Sequence, residues 1–272
     1  MKTVLHISTI KENSYEKYTY RSKFIDKFKI KKHKDMPIKE INTIIKLVDI
    51  PANFNKEAYK LNLNRAINRK VNRHDYLSIN GNRMYDLYLM NKFQLSIFSY
   101  SIVESLRIVL MNSNKSIKCS NVLVDIDKRW LLLSLLNELA KESKDIIILT
   151  DDLRESEKIR EIIMSNYGVA IEIVYNEADM DRIDFVISSK NKEYRCKNVW
   201  YINNYFKPRE KGIYISDVLY RVPWDVEIKD MPPQLIGLLI NQKYNNDISD
   251  MLKSNDIRLQ SILYKDEEAY LL

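Results

Sequence analysis

The 272-residue chain predicts an α/β protein built on a parallel sheet, and three observations predict it. From residue 119 onward, short β-branched runs alternate with helical spacings. The runs are apolar along their length, as strands covered on both faces are. The links between them are short, as in sheets whose crossovers are helices. An apolar content of 45% is ample for a core, and with only 4 Gly and 6 Pro the collagen-like and low-complexity classes are excluded.

Asn121–Asp127 (NVLVDID) is the first strand of this part. Arg129–Ser143 follows as a helix, with Leu132, Leu135, Leu136 and Leu139 at helical spacing. Asp145–Thr150 (DIIILT) is the second strand. Leu153–Tyr167 is a helix with Ile159, Ile162 and Ile163 inward, and Gly168 stands where a left-handed C-terminal residue belongs. Val169–Tyr175, Asp184–Ser188 and Val199–Asn203 are the third to fifth strands. The connection Asn176–Ile183 has room for one helical turn. A further extended stretch is Gly212–Val222. Right-handed crossovers then make the sheet Rossmann-like, with helices on both faces. Pro232 and Pro233 open a helix running to Tyr244, since proline suits a first turn, and a last helical region is expected within Asp247–Lys265.

Residues 1–118 are expected to form a smaller, basic, mainly helical part with short strands, and residues 119–272 the Rossmann-like domain. Lys2–Ser8 reads as a strand. Pro37–Val48 carries Ile41, Ile44, Ile45 and Val48 at helical spacing. Lys56–Arg73 is a second helix, with Asn55 as its N-cap. Asn80-Gly81-Asn82 signals a turn. Lys92–Met111 is a mostly buried helix. Its apolar stretch is broken by Gln94, Glu104 and Arg107, so no membrane span is expected. The N-terminus lacks a sustained apolar segment, and Cys119 and Cys196 cannot make a disulfide framework, which together predict a reduced, cytoplasmic protein. Both cysteines precede strands and are expected to be buried thiols. Trp130, Trp200 and Trp224 read as core. His6, His33 and His74 lack partners at ligand spacing, so no metal site, triad or cofactor is expected.

Charge is divided unevenly. Residues 1–118 hold 23 Lys and Arg against 10 Asp and Glu, a net +13, and residues 119–272 hold 21 against 27, a net −6. The scarcity of Ala and Gly and the abundance of Lys, Asn and Ile match an AT-rich coding bias, but that bias acts on both halves and does not explain the change of sign.

The acidic strand ends are the place for a site. Asp125 and Asp127 close the first strand; Thr150, Asp151 and Asp152 close the second; Ser188 and Ser189 close the fourth. Open α/β sheets bind ligands at this edge. A dinucleotide site needs glycines after the first strand, and the loop here reads Asp125-Ile126-Asp127-Lys128-Arg129-Trp130 without one. The acid after the second strand is placed like a ribose-binding acid. In length and layout the chain resembles the two-domain dehydrogenases such as shikimate dehydrogenase. That resemblance implies a small substrate domain, a Rossmann domain and a returning C-terminal helix. The family's glycine fingerprint is absent, and its catalytic Lys and Asp find no counterpart here. The run Val122–Asp127 with Thr150 also resembles the first motifs of the haloacid-dehalogenase phosphatases, over about thirty residues. That resemblance implies Asp125 as nucleophile, Asp127 as acid/base and Mg²⁺ at the phosphate. The usual insertion is missing, and Ser188 and Ser189 stand where metal-binding acids would. Helix capping explains both acid clusters without chemistry: Asp127 is placed to cap the first helix, and Asp152 with Glu155 makes a capping-box variant.

In the basic part, Arg65, Arg69 and Arg73 stack at i, i+4 and i+8 opposite a core face of Tyr59, Leu63, Ala66, Ile67 and Val71, flanked by Asn62, Asn68 and Asn72. These are residue types that contact phosphates and base edges. With Pro37–Val48 they make a poor helix-turn-helix match. Lys23–Lys34 interleaves six lysines, Lys27 and Lys31 among them, with Phe24 and Phe28, and suits an acidic partner, RNA or a membrane surface. The reading put first is a non-catalytic docking or assembly protein whose basic part meets an anionic partner, through protein contact or self-association. The alternatives are an enzyme acting on a nucleotide or phosphorylated metabolite at Asp125, Asp127 and Thr150, and a nucleic-acid-binding protein.

Overall fold

The computed structural model describes residues 1–15, 20–53, 55–67, 77–175, 179–209, 212–228, 230–240, 247–264 and 267–271. The chain opens with β1 (Lys2–Tyr15), α1 (Tyr20–Lys29), β2 (Lys31–Lys32), β3 (Met36–Ile38), β4 (Thr43–Asn53), α2 (Lys56–Ile67), β5 (Leu77–Asn80) and the single turn α3 (Arg83–Asp86). It continues through α4 (Lys92–Asn112), β6 (Val122–Asp125), α5 (Arg129–Leu139), β7 (Ile146–Thr150), α6 (Leu153–Tyr167), β8 (Ile171–Tyr175), β9 (Phe185–Ser188) and β10 (Asn198–Tyr201). The last elements are β11 (Ile213–Ile215), β12 (Asp217–Arg221), β13 (Asp230–Met231), α7 (Pro233–Leu239), α8 (Ile248–Ser254), β14 (Arg258–Tyr264) and β15 (Glu267–Leu271). Two compact units result: Met1–Gln94 with Tyr220–Arg258, and Leu95–Leu219 with Leu259–Leu272. The division thus falls before most of α4, not after residue 118, because α4 packs on the Rossmann-like sheet.

That sheet has six strands in the order β11-β10-β9-β6-β7-β8, and its pairs are all parallel. Counted from β6, this is the doubly wound order, which reverses between β6 and β9. The apolar runs dictate it: every residue of β6 and β9 is buried, so these strands must lie at the centre. On one face Trp200 of β10 meets Phe98 of α4, ring centroids 5.7 Å apart, and its indole N–H donates to Ser105 Oγ at 3.1 Å. Ser99 of α4 reaches Ser134 of α5 at 2.9 Å. On the other face Leu123, Ile147, Val186 and Val199 form one cluster with Tyr194, Cys196, Tyr201 and Tyr214. The connections after β9 and β10 hold no helix among the described residues, and these aromatic side chains give the cover that helices give elsewhere. The turn expected in Asn176–Ile183 is present as a 3-10 turn, Met180–Arg182. Gly168, at φ 68°, closes α6.

The N-terminal unit corrects the expectation of a mainly helical part. It carries a five-stranded sheet ordered β2-β4-β1-β5, with β3 on β4. Strand β1 pairs in parallel with β4 and β5, while β2 and β3 run antiparallel to β4. The helix expected at Pro37–Val48 is instead β3 and β4. Thr43, Ile44, Ile45, Val48 and Ile50 are β-branched, which favours a pleated strand over a helix of the same spacing. With no helix there, the helix-turn-helix match disappears. Helix α2 packs Tyr59, Leu63 and Ala66 on Leu5, Ile7, Val48 and Ile50. Helix α7 begins at Pro233 as expected, and Gly237 lets it approach Gln94 so closely that a Cβ would lie 2.9 Å from the Gln94 Cα. The final helical region is only α8; Arg258–Tyr264 is a strand. Helix α4 is, among the described residues, the one helix long and apolar enough to cross a membrane, and 67% of its apolar window is buried inside the protein.

Candidate functional site

The register of the central strands assembles the site. Asp125 of β6 lies opposite Ser188 of β9, and the Ser189 N–H donates to the Asp125 carbonyl at 3.0 Å. The two chains then diverge, as they must where the strand order reverses. Beside this point lies a crevice of about 200 Å³, lined by Asp125, Asp127, Arg129, Thr150, Asp151, Asp152, Glu155 and Lys190 among others. The structure therefore brings together five of the acidic-edge candidates, with Ser188 and Ser189 immediately beside them.

Asp125 is the buried anchor, its side chain 3% exposed. It accepts from Tyr194 Oη at 2.7 Å and from Lys192 Nζ at 2.7 Å, with Lys190 Nζ 3.9 Å away. Tyr194 has one proton and gives it to Asp125, so the Ser188 hydroxyl donates to Tyr194 Oη across 2.6 Å. The Lys190 N–H completes the chain by donating to Ser188 Oγ at 2.9 Å. Burial and the Asp125 charge push the Tyr194 phenol well above its ordinary range. A phosphatase nucleophile must reach its phosphorus, whereas Asp125 is enclosed and already neutralised. The role implied for it by the phosphatase resemblance does not fit.

Asp127 is half-exposed and accepts from Ser189 Oγ at 2.8 Å. Burial acts to raise its carboxyl, but the Ser189 bond and Lys128 outweigh it and hold Asp127 below the usual carboxylate range. It does not cap α5, contrary to expectation: Lys128 occupies the N-cap, with no side-chain cap bond. The first N–H groups of α5 are left open at the positive end of the helix, beside the crevice. Asp152 does cap α6, accepting from the Glu155 N–H at 3.1 Å. Thr150 Oγ1 accepts from the Asp152 N–H at 3.0 Å, shaping the turn rather than reaching out. Lys190, from the end of β9, extends across β6 to Asp151 at 3.0 Å. That bond, with the charges of Asp125 and Asp127, raises the Lys190 ammonium above its ordinary range and keeps it charged. Arg129 pairs with Glu155 at 2.6 Å.

Sequence reasoning missed Arg129, Lys190, Lys192 and Tyr194. A signal was present in Ser188-Ser189-Lys190-Asn191-Lys192-Glu193-Tyr194, a polar, basic segment following a strand end. The anion-binding candidates lie in the other unit. Arg65 is half-buried, with Nη1 3.5 Å from Asn62 Oδ1. Arg69 and Arg73 lie outside the described residues, as does His74. Lys27 and Lys31 are exposed. Cys196 is buried as expected, and burial raises its thiol; Cys119, in a surface 3-10 turn, is exposed. Trp200 and Trp224 are buried, whereas Trp130, in the first turn of α5, is 38% exposed.

No family model matches the chain, and no curated protein does. Solved structures do. A shikimate dehydrogenase in complex with NADP+ matches at 14% identity and TM-score 0.34, covering 70% of this chain and 66% of that one. The shikimate 5-dehydrogenase of Listeria monocytogenes, with shikimate and NAD, matches at 10% identity and TM-score 0.31, covering 70% and 68%. The quinate dehydrogenase of Corynebacterium glutamicum, with NAD, matches at 11% and TM-score 0.31, covering 70% and 71%. At this level the likeness concerns fold and transfers no activity. The expectation of a non-catalytic docking or assembly protein is corrected by the site itself: the acidic strand ends line a crevice rather than a docking face.

A dinucleotide such as NAD or NADP+ fits these residues poorly. No glycine follows β6, so the backbone has no room to meet a pyrophosphate, and Asp127 adds negative charge beside it.

Proposed function

We propose that this chain is an enzyme acting on a mononucleotide or another phosphorylated metabolite, held at the switch point of the Rossmann-like sheet. The observation that carries this reading is the crevice itself: the acids at the end of β7 on one side, and Lys190, Arg129 and the open first turn of α5 on the other. Asp151 and Asp152 suit ribose hydroxyls, which donate to carboxylates. Lys190 and the α5 N-terminus suit a phosphate, which needs donors and positive potential. Asp127, held ionised, accepts a proton or hydrogen bond from the ligand and cannot donate one at neutral pH. Asp125 positions Lys192 and Tyr194 and does not touch the ligand. A reducing compartment such as the cytoplasm belongs to the same reading and suits the two free cysteines.

Native mass spectrometry of the full chain against AMP, ADP, ATP, NADH and NADPH tests it. Retention of a mononucleotide by the native chain, weakened in Asp151→Asn and Lys190→Gln, is the expected result. Retention of a dinucleotide alone, or of nothing, would overturn it.

A further inference from the structure

Helix α1 is built inside out. Its buried side is polar: Asp26 is 1% exposed and accepts from Asn62 Nδ2 of α2 at 2.8 Å, where α1 packs on α2 and β4. Its outer side is apolar. Phe24 is 61% exposed, Phe28 70% and Ile25 48%, and the two rings meet edge to face with centroids 5.0 Å apart. At 100° per residue these three side chains fill an arc of roughly 100°, with Lys27 on one flank, Lys29 on the other and Asp26 opposite. The exposed residues Lys31, Lys32 and Lys34 follow at once. Water is a poor solvent for such a face.

The chemistry of the surround selects what covers it. Six lysines fall in residues 23–34 without one arginine, and lysine snorkels its ammonium to a lipid headgroup while its stem lies along apolar surface. A two-fold pair of copies meeting on this face would set the same lysines against each other. Bases stack on flat aromatic faces, and the exposed face offers an edge-to-face pair and an isoleucine. We infer that α1 seats this protein on an anionic lipid surface, with Phe24, Ile25 and Phe28 entering the headgroup layer and the lysines meeting lipid phosphates. The inference concerns where the protein sits and is independent of what the crevice binds.

Sedimentation of the full chain with vesicles tests it, using phosphatidylcholine alone and an equal mixture with phosphatidylglycerol. Binding to the mixed vesicles only, reduced by salt and weakened more than about tenfold in Phe24→Ser/Phe28→Ser, is the expected result. Both phenylalanines are exposed, so the variant should keep the native circular dichroism and melting temperature, and Lys31→Glu/Lys32→Glu gives an independent second loss. Failure to bind the mixed vesicles would overturn the inference, as would binding unaffected by the phenylalanine changes. So would a dimer in the native mass spectrum that the phenylalanine changes dissolve. Salt-sensitive binding of single-stranded RNA, lost in the same variants while vesicles go unbound, would overturn it in favour of nucleic acid.

Discussion

Two buried titratable groups of the N-terminal unit should cancel each other's effect on stability, and removing either should expose the other. Asp86 is enclosed beside Tyr59, whose hydroxyl donates to it at 2.5 Å. Burial, opposed by that bond and by the Arg83 charge, raises its carboxyl from 3.8 to about 7. Between those values the folded chain holds the extra proton, so stability falls as pH rises, by about 1.4 kcal/mol per pH unit and ~4 kcal/mol in all. His6 has the opposite sign. Burial, opposed by Asp49, lowers its ring from 6.5 to about 4. There the unfolded chain holds the extra proton, so stability rises with pH, by ~3 kcal/mol over that window. From about pH 4 to 6.5 the two slopes oppose. Asp86→Asn should leave the His6 slope, with stability climbing ~3 kcal/mol toward pH 6.5. His6→Asn, which keeps an amide for the Ser78 hydroxyl 3.0 Å away, should leave the Asp86 slope, falling ~4 kcal/mol toward pH 7. Urea unfolding at a series of pH values, followed by tryptophan fluorescence, reads both; Trp224 lies in the same unit. Parallel pH profiles for the native chain and both variants would refute the reasoning.

Three further predictions concern particular contacts. Tyr194→Phe leaves the buried Asp125 short of one donor and should cost ~1.5–3 kcal/mol in urea unfolding, the range for a bond to a charged group; no loss would show the network to be idle. Asp152→Ala should cost ~1 kcal/mol and Asp152→Asn only a few tenths, because asparagine also caps; equal losses would rule out capping as its role. Gly81→Ala should cost ~1–3 kcal/mol by overpacking, since a Cβ there would lie 2.0 Å from Tyr59 Oη and 2.9 Å from Asp86 Oδ2, and an unchanged melting temperature would contradict that close approach.

The six-stranded sheet was legible because its strands are buried on both faces and read as unbroken apolar runs: Val122–Asp125 and Ile146–Thr150 lie within the segments Asn121–Asp127 and Asp145–Thr150 read from sequence. The first sheet was not. Ile41, Ile44, Ile45 and Val48 satisfy a helical spacing by coincidence, and only the β-branched content of the run speaks for a strand, a weaker signal than period. The acids of the crevice were visible because they end strands. Lys190, Lys192 and Tyr194 were not, because they act from a loop on β6, and only the β6–β9 pairing joins positions 65 and more residues apart. The outward face of Phe24 and Phe28 was equally hidden. From sequence the helix looks like a basic amphipathic segment, and only the burial of Asp26 shows which side faces in.

The central claim is that the crevice between the ends of β6, β7 and β9 takes a phosphorylated ligand through Lys190 and the acids of β7. Calorimetric titration of ADP into the native chain and into Lys190→Gln, a variant that loses the ion pair to Asp151 and the longer one to Asp125 but leaves Asp125 its bonds to Lys192 and Tyr194, tests it most directly. One site per chain in the native protein, and an affinity at least about tenfold weaker in the variant, as for one lost charge-assisted contact, is the expected result. No heat in the native chain, or equal affinity in both, would contradict it.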